Sequence, residues 1–348
     1  MEMLELNETP VRTARNFKIN SIQLENVEIP EKVAEFKNVE IKGNCKIDNQ
    51  VSKASLTYGT GKILEENVYE KANSKTRIIT EKNDTIEITY TFDDENINLI
   101  NEIEIIAEGK SNITIKYKSN TDKACFHNGI IKTYLKENAK VNITIINLLN
   151  SNSNNFEAIE NTLDANSKLN YIIIDIGGKT SISNYYSNIL GENADNDLRT
   201  IYLGAENQIR DMNYIAELRG KKSNINMDVQ GALQGNCKKH FKGTIDFKKG
   251  CKKSKGNENE YCMLLSDNAK SISLPMLLCG EEDVEGNHGV ASGKVNRDEL
   301  FYIMSRGFEY KQAVKLIVRA KFNEIIERII DEDTKNEVIN EIDRRLDK

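Results

Sequence analysis

The middle of the chain alternates apolar and polar residues with a period of two. The pattern is regular in four segments rich in Ile, Thr and Tyr, at 85–92, 112–117, 141–145 and 169–174. Successive side chains of a β-strand point to opposite faces, so this alternation predicts half-buried strands. No segment between Glu81 and Pro275 has a convincing helical period. The main body of the chain is therefore predicted to be β-structure.

A short turn that ends in a small residue recurs along this β-rich region. The small residues are separated by 28, 56, 14, 14 and 18 positions, and they are Ala139, Ser167, Ser223, Cys237, Cys251 and Ala269. Spacings near one value and its multiples are typical of a solenoid whose coils each bury a small residue at an equivalent corner. We therefore predict a right-handed β-helix or a similar β-solenoid, with a β-sandwich as the alternative.

The C-terminal part of the chain has a helical pattern instead. Asn296 is a suitable N-cap for a first helix, and Gly307 is suited to end it. Two further amphipathic helices are predicted at 310–330 and 336–346. We accordingly divide the chain into an N-terminal segment at 1–75, a β-helix core at 76–290 and a helical domain at 291–348.

Composition excludes several classes of function. The net charge is −6 with both signs well mixed, which argues against nucleic-acid binding. No GxSxG, HExxH or P-loop motif occurs, so we predict no enzymatic activity. The sequence has neither an apolar run long enough for a transmembrane helix nor an apolar stretch typical of a signal peptide in its first residues. We therefore expect a cytoplasmic protein without a membrane partner.

His288 is the strongest single candidate for a functional side chain. It stands between Gly286 and Gly289 just before the first helix, which predicts an accessible turn, and imidazole is a common metal ligand. A lone histidine is nevertheless not a metal site. His127 and His240 are more simply explained as surface residues of strands or turns.

The six cysteines form no CxxC pair and match no zinc module. In a cytoplasmic chain they are expected to be reduced. Cys237 and Cys251 fit burial as small apolar residues. Cys262 and Cys279 flank the His288 segment and are weaker thiol candidates for contact with a metal or a sulfur species.

Three motifs stand close together near the C-terminus: His288-Gly289-Val290-Ala291-Ser292-Gly293, Leu300-Phe301-Tyr302 and Ser305-Arg306-Gly307. In sequence and order they resemble the SufB/SufD family of the SUF iron–sulfur cluster assembly system. Upstream segments resemble the family's preceding coils in order and spacing, so the resemblance covers residues from about Gly231 to Ile330.

The resemblance implies a non-catalytic scaffold with a right-handed parallel β-helix and a C-terminal helical domain. In this family the helical domain docks an ABC-type ATPase, SufC, which binds the ATP, and two SufB/SufD-type chains pair through their β-helices. Docking would then involve Phe301, Tyr302, Met304, Arg306, Gly307 and Phe308. For Phe301, Met304 and Phe308, packing inside the helical domain is an equally good explanation.

Two positions resemble SufD rather than SufB. SufB-like chains carry Cys where this chain has Ala269, and Glu-His-Glu where it has Asn287-His288-Gly289. The resemblance thus implies no tightly bound cofactor, with His288 as a candidate ligand for iron or a transient cluster at the interface with a SufB-type chain. A reduced SufB-like scaffold that forms a homodimer remains an alternative. A β-helix protein that binds or processes polysaccharides is a more remote one, disfavoured by the absence of Trp.

Overall fold

Two nine-stranded sheets form the body of the molecule. The computed structural model describes residues 3–13, 19–52 and 54–347. The strands are β1 (Leu4–Leu6), β2 (Ile22–Leu24), β3 (Val39–Gly43), β4 (Lys46–Asp48), β5 (Ser74–Thr80), β6 (Asp84–Phe92), β7 (Asn98–Ala107), β8 (Lys110–Ser119), β9 (Phe126–Leu135), β10 (Lys140–Leu148), β11 (Asn154–Leu163), β12 (Lys168–Asp175), β13 (Thr180–Ile189), β14 (Asp195–Gly204), β15 (Ile209–Leu218), β16 (Asn224–Leu233), β17 (Lys238–Phe247), β18 (Ser254–Leu264), β19 (Lys270–Cys279) and β20 (Val284–Lys294). The helices are α1 (Lys62–Lys71), α2 (Arg297–Ser305), α3 (Tyr310–Ile326) and α4 (Glu332–Leu346).

The strands from β5 to β20 wind into a parallel β-helix of eight coils. Odd-numbered strands lie in one sheet and even-numbered strands in the other, and each pairs in parallel with the strand two places further along. The predicted β-helix is therefore confirmed, and the β-sandwich alternative is wrong. Lys140 pairs with Lys168 and Lys168 with Asp195, so these coils take 27 or 28 residues. The shorter sequence spacing corresponds to half a coil, because each coil has two corners.

One corner of each central coil is built around a residue in the left-handed backbone region. These residues, with φ between 54° and 65°, are Asn138, Asn166, Asn193, Lys222 and Lys253. Asn adopts this region more readily than most residues, which explains the Asn-rich turns. The residue that follows is small and buried in every case: Ala139, Ser167, Ala194, Ser223 and Ser254.

One detail of the predicted repeat is wrong, because the small residues do not all occupy one corner. Cys251 does lie in this corner, between β17 and β18, where it follows Gly250 with φ 103° and precedes Ser254 by three residues. Cys237 and Ala269 belong to the opposite corner, where the chain enters the other sheet. All three predicted residues are nonetheless buried, since both corners leave room only for small side chains.

The two ends of the β-helix differ. At the N-terminal end, β3 and β4 pair antiparallel with β6 and β5 and cover the first coil. At the C-terminal end, β19 and β20 are edge strands, and no further strand within the described ranges pairs with them. Most of their residues are partly or fully exposed. The last coil thus leaves the edges of both sheets open.

A row of polar side chains, mostly amides, crosses the outer face of the sheet that ends with β20. It follows the strand register through Asn112, Asn142, Asn170, Asp197, Asn226, Asn257 and Asn287. The Asn142 amide donates to Asn112 at 2.8 Å, and the Asn170 amide donates to Asn142 at 2.7 Å. At the far end, the Asn287 amide donates to Asn257 at 3.0 Å. The row ends on the open edge strand, beside His288.

Helices α3 and α4 pack on this same outer face. Their buried residues, such as Phe322 and Val338, form one apolar cluster with Ile174 and Ile201 of the sheet. Helix α2 contains no fully buried residue, and its partly buried Leu300 and Ile303 pack against the cluster. No helix in the described part of the chain combines the length and apolar character needed to cross a membrane.

The helix boundaries follow their capping residues. Asn296 caps α2 as predicted, accepting hydrogen bonds from the backbone amides of Asp298 and Glu299, and Gly307 follows with φ 97°. Helix α3 ends at Ile326, before the predicted limit of 330. Helix α4 begins at Glu332 rather than at 336, because the Asp331 side chain accepts from the backbone amide of Thr334 at 2.7 Å and caps it.

Candidate functional site

His288 lies in strand β20 and not in a turn, so that prediction is wrong. Gly286 and Gly289 are strand positions as well. A Cβ at Gly286 would lie 3.1 Å from the Phe247 ring. The glycine is therefore explained by close packing against Phe247 and not by a turn of the backbone. His288 itself is exposed, as expected, because the last coil has no strand beyond it.

His288 ends a column of interior side chains. Residues paired directly on parallel strands point to the same face, and the pairing puts Glu258 next to His288 and Met227 next to Glu258. Six coils of this column are filled by apolar or aromatic side chains, all buried: Ile86, Ile113, Ile143, Tyr171, Leu198 and Met227. The column becomes polar only in its last two coils. We refer to the interior around Glu258, Glu260 and His288 as the C-terminal mouth.

Glu258 is a buried carboxyl group without a partner. Its exposed fraction is 0%, and neither carboxyl oxygen has a hydrogen-bond partner among the described residues. The carboxyl packs against the bare Cα of Gly243, where a Cβ would fall only 2.0 Å from Oε1. Burial, with a further contribution from nearby Glu260, raises the pKa of Glu258 to about 8. An unpartnered buried carboxyl of this kind needs either a proton or a ligand.

The neighbouring Glu260 is fully partnered. Its Oε1 accepts hydrogen bonds from Lys239 Nζ at 2.8 Å and from the Tyr202 hydroxyl at 2.6 Å. Its Oε2 accepts from the Ser273 hydroxyl at 2.9 Å. Lys239 and Glu260 are both inaccessible to solvent and form an ion pair. The positive charge of Lys239 is thus directed to Glu260, and Glu258 has no counter-charge of its own.

The two candidate thiols occupy different surroundings. Cys262 is buried in the interior, where burial raises the pKa of its thiol, so the group is held protonated. Cys279 is exposed at the end of β19. Gly243 lies across the interior from Glu258 and pairs with Pro275, so Pro275 is at the level of His288. Cys279 is four positions further on, ~13 Å along an extended strand, so the structure does not bring it to His288.

The other two histidines lie away from the mouth. His127 is completely buried, so its predicted surface position is wrong. Its Nδ1 is 2.6 Å from Oδ1 of Asn155 and its Nε2 is 3.0 Å from Oδ1 of Asn101. Burial lowers the pKa of His127 to about 4, which keeps the ring neutral. His240 is partly exposed, with Nδ1 3.6 Å from Asp211.

The C-terminal mouth has the donor types of an iron site but not a complete set. No three His, Cys, Asp or Glu residues in the described ranges are placed to hold a metal ion together. The chain offers one exposed imidazole and, beneath it, one unpartnered carboxyl group. Imidazole and carboxylate are common ligands of ferrous iron, so the chemistry of these two groups fits an iron ion, which would need further ligands.

A second exposed region covers helix α2. The six residues predicted for docking form what we refer to as the α2 surface: Phe301, Tyr302, Met304, Arg306, Gly307 and Phe308. All are exposed, and the exposed fraction of the residue is 75% for Phe301, 59% for Tyr302, 44% for Phe308 and 40% for Met304. Internal packing therefore does not account for Phe301, Met304 or Phe308. The Arg306 guanidinium lies 5.1 Å from the centre of the Tyr302 ring.

The chain matches a family of iron–sulfur cluster assembly proteins. The family model described as "SUF system FeS cluster assembly, SufBD core domain" matches residues 90–321, more than half of the chain. The chain belongs to this family. Among curated proteins it is similar to the iron-sulfur cluster assembly protein SufD of Bacillus subtilis, 23% identical over 265 residues, which cover 75% of this chain and 61% of the relative.

Other relatives bear similar names. The SufD of Escherichia coli is 24% identical over 171 residues, or 49% of this chain and 40% of the relative. A SufBD family protein of Pyrococcus horikoshii is 28% identical over 196 residues, or 56% of this chain and 43% of the relative. Within the family the chain is closest in character to SufD, as the sequence motifs predicted. It spans less than two thirds of the length of each of these relatives.

Glu258 is the residue of the mouth that sequence reasoning missed. It precedes His288 by 30 residues, one coil earlier. That relation is invisible without the register, because coil lengths vary and the apparent repeat was half a coil. An isolated Glu between two Asn residues carries no other signal.

Proposed function

We propose that the protein is a non-catalytic, SufD-like scaffold that pairs with a SufB-type chain and works with a SufC-type ATPase. The observation that carries the proposal is the open last coil, which presents His288 on an edge strand at the mouth of the β-helix. In this proposal the protein works in the cytoplasm and holds no permanent cofactor. Iron or a nascent cluster is its cargo.

Pairing with a second β-helix follows from the two open edges. An edge strand presents unpaired backbone N–H and C=O groups that can continue a sheet into another chain. β19 and β20 offer two such edges side by side, one from each sheet. A partner joined there lies next to His288, so the imidazole of this chain and groups of the partner together surround the cargo. Among the described residues no three side chains are placed to hold a metal ion together, which favours a shared site.

The α2 surface supports docking of the ATPase. Exposed aromatic residues and arginine dominate the binding energy of many protein interfaces, and the α2 surface combines three aromatic rings with Arg306. The ATPase binds and hydrolyses ATP, and its movement is transmitted through the C-terminal helices to the β-helix. The scaffold itself then needs no catalytic group.

One experiment tests this function with two variants, each of which should impair only one of two measured properties. The full chain is mixed anaerobically with the SufB-type and SufC-type proteins, iron and a sulfide source, and both complex formation and cluster absorbance are recorded. The double variant F301A/F308A is expected to bind the ATPase at least about tenfold more weakly, because it removes two exposed anchors. H288A is expected to bind the ATPase normally but to yield less cluster, and H240A serves as its control.

The outcomes separate the alternatives. If F301A/F308A binds the ATPase as tightly as the unmodified chain, the docking proposal is wrong. If H288A yields as much cluster as H240A, the ligand role of His288 is wrong. Cluster formation by this chain and the ATPase without a SufB-type protein would instead support the reduced, homodimeric SufB-like scaffold.

A further inference from the structure

The last two interior positions of one column, Glu258 and His288, are occupied by groups that bind metal ions. We propose that Glu258 is a ligand-binding residue and that it holds ferrous iron at the C-terminal mouth together with His288. This inference rests on the proposed function, because it takes iron as the cargo of the mouth. It adds a residue that no motif of the sequence singles out.

The column itself supports this assignment. An interior carboxyl group is expected to be replaced by an apolar residue unless it has a partner, and six preceding coils place apolar or aromatic residues at this position. Beneath Glu258 lies the buried Met227, which offers no donor. Across the interior lies Gly243, whose missing side chain leaves space for the carboxyl. The side toward His288 is the one from which a partner can reach Glu258.

The charges in the mouth also favour a cation. Lys239 is engaged by Glu260 at 2.8 Å and by the Ser273 hydroxyl at 2.8 Å. The mouth therefore contains two carboxyl groups and one ammonium group, and the ammonium is already paired. A divalent cation between Glu258 and His288 would supply the counter-charge that the buried carboxylate lacks.

The spacing of the two residues suits a shared metal ion. Paired positions on adjacent parallel strands are about 4.8 Å apart, so an imidazole and a carboxylate projecting from them to the same side can reach one ion. Two ligands leave several coordination positions open for water, sulfide or groups of a partner chain. This agrees with the lack of a three-residue metal group in the described ranges.

Binding of Co²⁺, used as a spectroscopic substitute for ferrous iron, tests the inference on the full chain alone. The Co²⁺ absorption bands report ligand type and give a dissociation constant for the unmodified protein, E258Q, H288A and the double variant. E285Q is the matched control, because Glu285 lies on the same strand as His288 but points to the outer face. Its carboxylate forms an ion pair with Lys255 at 2.9 Å. Thermal unfolding of each variant checks that it is folded.

We expect E258Q and H288A each to weaken Co²⁺ binding by at least about tenfold, because removing even a residue that only supports a metal ligand typically costs that much. The double variant is expected to lose much less than the product of the two single losses, because both residues act on one ion. E285Q should bind as the unmodified chain does. E258Q removes an unpartnered buried acid, so it is expected to melt no lower than the unmodified chain.

Three results would overturn the inference. Normal Co²⁺ binding by E258Q with weakened binding by H288A removes Glu258 from the site but leaves His288 as the ligand of the proposed function. Unchanged binding by both variants excludes the mouth as a metal site. Absence of saturable Co²⁺ binding by the unmodified chain likewise contradicts the inference of a metal site. The docking of the ATPase is tested by a separate experiment and can still hold.

Discussion

Ionisable side chains buried inside the coils have pKa values far from their usual ranges. Glu157 is the clearest case away from the mouth: it is fully buried and accepts a hydrogen bond from the Tyr117 hydroxyl at 2.8 Å. Burial raises the pKa of Glu157 to about 8. His127 shows the opposite shift, to about 4, for the same reason. In both residues the interior favours the neutral form, because desolvation penalises charge of either sign.

Glu157 makes the stability of the protein depend on pH. Its pKa is raised on folding from the ordinary value of 4.5, so its favourable contribution is fully present below pH 4.5 and is lost as pH rises toward 8. E157Q removes this dependence, since the amide stays neutral and its carbonyl can still accept from Tyr117. We expect E157Q to gain stability relative to the unmodified chain between pH 5 and pH 8, by a few kcal/mol at most.

Urea unfolding at pH 5 and pH 8 measures this difference. E137Q is a useful control, because Glu137 is exposed in the corner before β10 and its replacement removes an acid without changing the interior. A difference between E157Q and the unmodified chain that does not grow with pH would show that Glu157 is already ionised in the folded protein.

At the scale of the secondary-structure elements, the corners determine how the coils stack. The left-handed residue of each corner donates its backbone N–H to the next coil, as Asn138 does to Ala165 and Asn166 does to Glu192. The same geometry recurs at Lys253, which donates to Asp283. The corner therefore both reverses the chain and links successive coils, and its backbone conformation should matter more than its side chain.

Substitutions at Asn138 test this role of the corner. Asn138 has φ 65°, so Ala there should cost about 1 kcal/mol of unfolding free energy, whereas Gly should be nearly neutral. The exposed neighbour Glu137 provides a control, and E137A is expected to change stability by less than about 0.5 kcal/mol. Chemical denaturation measures all three. Equal stability of N138A and N138G would contradict the importance of the left-handed conformation.

The strands and the C-terminal helices could be predicted from the sequence, but the coil period and the mouth could not. Alternation at 85–92 and the N-cap at Asn296 are local signals, and they are confirmed. The sequence spacing underestimates the coil length, because small residues occupy both corners, and Cys237 and Ser223 look equivalent although they lie at different corners. The glycine neighbours of His288 suggest a turn, although the residue lies in a strand. Burial of His127 and the position of Glu258 depend on register, which the sequence does not contain.

At the scale of the whole molecule, the β-helix is closed at one end and open at the other. Strands β3 and β4 cover the N-terminal end, one in each sheet, while no strand in the described part of the chain covers β19 and β20. Exposed edge strands are usually protected against association, so the open end of two sheets supports the proposed pairing with another chain. The mouth and the open edges coincide, which places the candidate ligand where two chains would meet.

A charge on the open edge should prevent pairing. Ile272 is an exposed residue of β19, and I272K is expected to weaken association with the partner chain at least about tenfold, because the lysine would be desolvated at the junction. Ile41 is similarly exposed on β3 at the closed end, so I41K is the matched control. Sedimentation velocity of the chain with and without a SufB-type protein measures both. Equal association of I272K and I41K would exclude the open edge as the junction.

The row of polar side chains that ends at Asn287 has a direction. In each of its four hydrogen bonds the amide nitrogen of the later strand donates to the oxygen of the earlier one. The acceptor oxygen of Asn287 is therefore the group that faces the open edge. A two-fold copy meeting at this position would bring oxygen against oxygen, whereas a different chain with a donor there would extend the row. The row therefore favours pairing with an unlike chain. A shift of the two paired edge strands by one residue would interrupt its hydrogen bonds.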